Sequence, residues 1–357
     1  MLRFEFYKIC KQRMIFFAFG ILLLYAVVAV LEIHHPDHWN NIVSYENGET
    51  VNGKEGLAIN QEQAKRYEGE LTDELVAEVL HNNSGMLDTT TSYFMNFYEG
   101  DDGHVLTVRE AYPFINFKLT YGYSDSWESF LYSYYGLMSL FPLFIVIVFS
   151  SLFSYEIHCG MSAIVHTTQY GRIKCARAKI LVSVIITNIA FIIVTFVRVS
   201  EFLIRYGIDG HETSIQIGKF GYFYKSQIPI NYLELSIHYI LLSLLCGNMI
   251  LLIVLIVSLK SKGMMQALIV SFALLYIFNP TAIYAMTKSD KLLYLISLLP
   301  INVLKITSVV SDFNSISIFG YQLQWIYFIE IFYVLALGIG FYLFCSKMVK
   351  SQKFYGE

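Results

Sequence analysis

Three imidazoles and a carboxylate fall within the run His34-His35-Pro36-Asp37-His38. Imidazole nitrogens and carboxylates are ligands that Zn²⁺ and Cu²⁺ accept. The spacing matches no established ligand motif, and Pro36 fixes the local turn. His34, His35 and His38 therefore read first as a polar, partly amphipathic flank and only second as metal ligands. Other chemistry is missing from the sequence. Gly53-Lys54 and Gly218-Lys219 are not followed by Ser or Thr, so no phosphate-binding P-loop is present. No H-E-x-x-H or G-x-S-x-G occurs. The chain is not expected to be an enzyme, to hold a cofactor of its own or to bind nucleic acid.

A second group of polar residues lies inside or close to long apolar runs: Asn188, Arg198, Glu201, His238, Asn248 and Glu330. Polar and charged groups at such positions are costly and tend to face a bundle interior or a cavity. They read either as a translocation path or gate, or as polar glue between helices with Arg198 snorkelling to the interface. Arg198 and Glu330 lie at similar depth, one to two turns from the ends of their runs. That depth allows a pair between them.

These residues need helices to hold them. The chain has 357 residues, 55% hydrophobic and 15% charged, too apolar for an average soluble domain. About 20 apolar residues cross a bilayer as a helix. Six runs qualify: 14–33, 130–153, 180–203, 235–259, 263–287 and 325–345. The first is too long for a cleaved signal and lacks a cleavage site. Leu292–Val310 is interrupted by Pro300 and Lys305. It reads as one or two short helices in 288–324, at the outer interface or dipping into the membrane.

Charge sets the orientation. Residues 34–128 hold 17 acids and 5 bases, a balance of −12, although the whole chain is only −3. The segments 1–13, 154–179, 260–262 and 346–357 hold 13 bases and 3 acids. By the positive-inside rule these four are cytoplasmic, and 34–128 and 204–234 are extracellular. None of the five cysteines lies in 34–128. That fits a plasma membrane whose outer domains fold without disulfides, as in many Gram-positive bacteria.

The expected fold is an all-α polytopic membrane protein with a small α+β extracellular domain between helices one and two. Residues 1–13 read as an interfacial elbow helix. Within 34–128, Asn47-Gly48 signals a hairpin turn. Asn60–Gly69 reads as helix. Thr72 reads as the N-cap of a helix with Leu75, Val76, Val79 and Leu80 on its apolar face. Tyr112–Tyr123 reads as strand.

The loop 154–179 carries the clearest pattern. Met161, Ile164, Val165 and Thr168 share one face of a helix, which Gly171 ends before a basic stretch. Such a stripe can lie on lipid or enter a groove on a partner. The series Glu156-x-x-x-Gly160, Ile164, Thr168, Arg172 and Lys179 resembles the first cytoplasmic loop of ABC-2 type transporter permeases. The layout resembles the same family: a basic elbow, six spans and, in one subset, an enlarged first outer loop. Where the family often has a proline, this chain has His166-Thr167-Thr168-Gln169.

The resemblance implies a coupling helix that docks on a separate ATPase subunit. That subunit would supply the P-loop and bind ATP and Mg²⁺. The apolar stripe would carry the docking, while Glu156, Arg172 and Lys179 fix the helix ends by charge pairing. One chain would be half a pore, pairing with an identical or sibling permease. The implied function is export of an amphipathic peptide, antibiotic or lipid-like substrate. The alternative is a membrane-anchored sensor or interaction protein whose acidic domain binds a cationic ligand. That alternative uses more spans than an anchor needs and has no cytoplasmic output domain.

Overall fold

A computed structural model describes residues 2–33, 42–45, 47–82, 86–99, 104–161, 173–218, 221–277, 296–307, 309–310, 315–318 and 321–348. Helix α1 (Leu2–Cys10) meets α2 (Arg13–Ile33) at a bend of 66°. The inserted domain follows, made of β1 (Val43–Tyr45), β2 (Thr50–Val51), α3 (Gly53–Arg66), β3 (Gly69–Glu70), α4 (Asp73–His81), β4 (Met86–Leu87), α5 (Thr89–Tyr98), α6 (Val108–Ala111) and β5 (Thr120–Tyr121). Then come α7 (Asp125–Phe149), α8 (Ser154–His158), α9 (Ile173–Tyr206), α10 (Tyr232–Lys260), α11 (Met264–Tyr276), α12 (Pro300–Val303), β6 (Ser315–Ile318), β7 (Tyr321–Gln324) and α13 (Trp325–Leu343).

Among the described residues four helical stretches are long and apolar enough to cross a membrane: Asp125–His158, Lys174–Tyr206, Tyr232–Lys260 and Trp325–Ser346. The bent pair α1–α2 makes a fifth if counted as one broken span. This architecture fits a helical membrane protein. The fifth expected span, 263–287, is described only to residue 277, and its helix α11 has 13 residues. Helix α10 is the hub, touching α7, α9, α11, α12 and α13. Tyr239, Cys246, Ile250 and Leu255 have no exposed surface, whereas Leu233, Ile237 and Leu241 near its start are exposed.

The observed helices outrun the apolar runs. Helix α7 starts at Asp125 instead of Phe130, with Asp125 and Glu128 in its first turn, where the helix dipole favours acids. Helix α9 starts at Ile173, so the basic residues Lys174, Arg177 and Lys179, expected in a loop, are helical. Hydropathy marks where a helix meets lipid, not where it ends.

The inserted domain is α+β, as expected. Strands β1 and β2 pair antiparallel around Asn47-Gly48, with Ser44 opposite Thr50 and Gly48 at φ 83°, a region that favours glycine. Thr72 Oγ1 accepts from Leu75 N at 3.2 Å, which caps α4. Val76 and Val79 are buried, packed with Tyr93, Phe94, Tyr98, Tyr112 and Tyr121. Burial pushes the phenols of Tyr93, Tyr98 and Tyr112 well above their ordinary range.

Two expectations fail here. The aromatic stretch Tyr112–Tyr123 forms only the two-residue strand β5, because Tyr112, Leu119 and Tyr121 pack into the domain core instead of extending a sheet. The region 288–324, expected to hold only short helices, contains helical turns, among them α12, and also a β-hairpin, β6–β7. Ser315-Ile316-Ser317-Ile318 and Tyr321-Gln322-Leu323-Gln324 alternate with the strand period of two.

The connection after α9 belongs to the inserted domain. Ser214 N donates to Thr120 O at 2.9 Å, and Thr120 N donates to Ser214 Oγ at 2.9 Å. Ile217 is part of the aromatic core. Asn231 and Glu234 form a capping box that starts α10.

Candidate functional site

Four elements meet where the 154–179 segment leaves the helix bundle. Glu156, on α8, reaches Lys179 Nζ at 2.5 Å and Lys8 Nζ at 3.0 Å. Lys8 comes from α1 and Lys179 from the second turn of α9. Lys179 is almost fully buried, and its ammonium lies 5.3 Å from the centre of the Phe153 ring. Lysine is rarely buried unless paired, so Glu156 is the group that makes this site possible. The fourth element is the end of α10: Ser258 Oγ accepts from Phe153 N at 3.0 Å and from Ser154 N at 3.4 Å. Cys175 Sγ lies 3.5 Å from Glu5 Oε1, a second tie between α1 and α9.

Among the described residues no group of three or more His, Cys, Asp or Glu is placed to hold a metal ion. What the arrangement does is fix position. One carboxylate between two ammonium groups locks α1, α8 and α9 together at the base of the loop. Gly160 follows α8 at φ 67° and its N donates to Ile157 O at 3.2 Å, turning the chain out of the helix. Met161 is exposed. Ile164, Val165, Thr168 and Arg172 lie outside the described residues.

The structure brings Glu156 and Lys179 together. Sequence reasoning missed Lys8. It lies 148 residues from Glu156, and no local pattern links positions so far apart.

The intramembrane polar residues form separate pairs. Asn188 and Asn248 donate to each other's side-chain oxygens at 3.2 and 3.0 Å. Each amide also bonds its own helix, to Val184 O and Leu244 O. This reciprocal bond joins α9 to α10 and leaves little spare donor capacity. His238 Nδ1 lies 2.6 Å from Glu330 Oε1, joining α10 to α13, with the Tyr327 ring against the imidazole.

The Arg198–Glu330 pair does not form. Arg198 Nη1 reaches Glu201 at 2.5 Å, and its Nε donates to Ser133 Oγ at 3.1 Å. Glu201 also takes Arg205 at 2.7 Å. Arg198 takes the acid three residues on along its own helix, which needs no tertiary approach. His34, His35 and His38 lie outside the described residues.

No protein-family model, curated protein or solved structure matches this chain.

Proposed function

We propose that this chain is the membrane subunit of an ATP-driven exporter of the ABC-2 type. Segment 156–179 is its coupling element and a separate ATPase its cytoplasmic partner. The observation that carries the reading is the Lys8–Glu156–Lys179 network. A loop that transmits force from an ATPase into a bundle must be anchored rigidly at its base. Here both ends of the loop, Glu156 and Lys179, are tied to each other and to α1. The bend of 66° between α1 and α2 supports an elbow lying along the membrane surface. So do the exposed Phe4, Phe6 and Tyr7 on α1. In this reading both termini are cytoplasmic, the inserted domain is extracellular, and a second permease chain completes the pathway. The substrate is an amphipathic peptide, antibiotic or lipid-like molecule. The ATPase binds ATP and Mg²⁺.

The test is capture of an ABC-type ATPase co-expressed with this chain. Ile164→Asp puts a charge at the centre of the apolar stripe, and an unpaired buried carboxylate is strongly unfavourable. Ser162→Asp lies on the opposite face of the same helical pattern. The first variant should insert normally and lose its ATPase on purification. The second should keep it. Equal recovery of ATPase by both variants would remove the coupling assignment, and lipid contact would then explain the stripe.

A further inference from the structure

Helix α3 of the inserted domain lies beside the last turns of α9, held there by Gln61 Nε2, which donates to Tyr206 O at 3.1 Å. Between the two helices runs a groove of about 760 Å³, within the roughly 300–1,000 Å³ of ordinary ligand pockets. Leu57 and Ala58 form one wall; Phe196 and Ile204 form the other. Phe196 is 70% exposed and Ile204 87% exposed. Below the groove, Ile185, Ile189 and Ile192 continue the exposed stripe that ends at Phe196. They sit at helical spacing on one face, over about 16 Å of rise. The groove therefore opens onto the lipid-facing side of an apolar span.

Its polar end differs from the domain above it. The inserted domain is strongly acidic, yet the groove is lined by Lys54 and Arg205 against Glu201 alone. Arg198, 2.5 Å from Glu201, adds a further positive charge behind it. Lys54 makes no ion pair among the described residues and is exposed. An apolar channel that ends in excess positive charge at the level where a span leaves the bilayer is complementary to one kind of molecule.

We propose that this groove holds one anionic phospholipid from the leaflet on the inserted-domain side. Its acyl chain lies along the Ile185–Phe196 stripe, and its phosphate sits beside Lys54 and Arg205. Lysines near a membrane surface favour anionic over neutral lipid. The site needs only that α9 spans the bilayer, so it is independent of ATPase docking.

The test uses the full-length protein in lipid nanodiscs with spin-labelled phosphatidylglycerol or phosphatidylcholine, and electron spin resonance to count immobilised lipid. The wild type should immobilise phosphatidylglycerol with roughly fivefold preference, on the scale of one lysine at a membrane surface. Lys54→Glu should abolish the preference. Ala58→Trp, at an exposed position of α3, should fill the groove and remove one immobilised lipid per chain together with the preference. Both variants should keep the wild-type Tm. Excess glycerol phosphate should not displace the lipid. The proposal is overturned if the wild type shows no preference or if both variants retain it. Displacement by glycerol phosphate would also overturn it, since that result describes a simple anion site.

Discussion

Helix α9 carries a three-charge network at each end, and the two are built differently. At its start, Glu156 sits between Lys8 and Lys179, and the three residues come from α8, α1 and α9. At its far end, Glu201 sits between Arg198 and Arg205, all on α9, at spacings of three and four residues. The charge pattern is the same: one acid shared by two bases. The consequence is not. The first network joins segments far apart in sequence and so defines tertiary structure. The second is helical bookkeeping of the i, i+3 and i, i+4 kind, which a lone helix can form. Arg198 also reaches across to Ser133 on α7. The long-range network stands at the base of the proposed coupling loop. The local one stands beside the proposed lipid groove.

The largest expected effect separates these two networks. Glu156→Gln leaves Lys179 buried beside the Phe153 ring without its carboxylate partner. Removing one partner of a buried pair costs about 3–5 kcal/mol. Glu201→Gln leaves Arg198 its hydrogen bonds to Ser133, so a loss of about 1–2 kcal/mol is expected. Thermal unfolding of the purified variants in one detergent should rank them in that order. A reversed order would mean that the local network is the structural one.

A smaller effect measures how far the first network acts as a unit. Lys8 is 36% exposed, so solvent screens its pair with Glu156. A double-mutant cycle of Lys8→Met with Glu156→Gln should give a coupling of about 0.5–1 kcal/mol. Additive losses would show that Lys8 contributes only its position in the elbow.

The midpoint of α9 offers a neutral reference. Asn188→Ala and Asn248→Ala should each cost about 0.6 kcal/mol, the usual scale for polar contacts between membrane helices. The double variant should cost no more than the worse single one. If the two variants abolish transport while leaving Tm unchanged, the pair belongs to the translocation path.

Much of this was legible in the sequence and some was not, for physical reasons. The Asn47-Gly48 turn and the Thr72 cap are local, and local signals survive into the structure. Lys8–Glu156 and His238–Glu330 are separated by 148 and 92 residues and leave no periodic trace. The Arg198–Glu201–Arg205 series was visible as i, i+3 and i, i+4 spacing. The β6–β7 hairpin shows a period of two, but its isoleucines also suit a membrane-interface helix. The segment 204–234 reads in sequence as a separate loop, because its bonds to Thr120 and Tyr112 are tertiary.

The smallest effect lies in the inserted domain beyond the Arg205 end. Burial raises the Tyr93, Tyr98 and Tyr112 phenols above the free value of about 10. Their folded pKa exceeds the unfolded one, so the neutral form stabilises the fold fully below about pH 10. That contribution is lost as pH rises above this value, because the unfolded chain sheds the protons first. In an alkaline titration followed by ultraviolet absorbance, these tyrosines should ionise only together with loss of near-ultraviolet circular dichroism. Reversible ionisation near pH 10 with the dichroism intact would show that the aromatic core is open to water.

The central claim is that the network at the start of α9 holds a loop which an ATPase grips. The direct measurement is co-purification of a co-expressed ABC-type ATPase with Glu156→Gln and with Glu201→Gln, restricted to monodisperse, folded protein. The account predicts that Glu156→Gln loses the ATPase and Glu201→Gln keeps it at the wild-type ratio. Equal ATPase recovery by the two variants would contradict it.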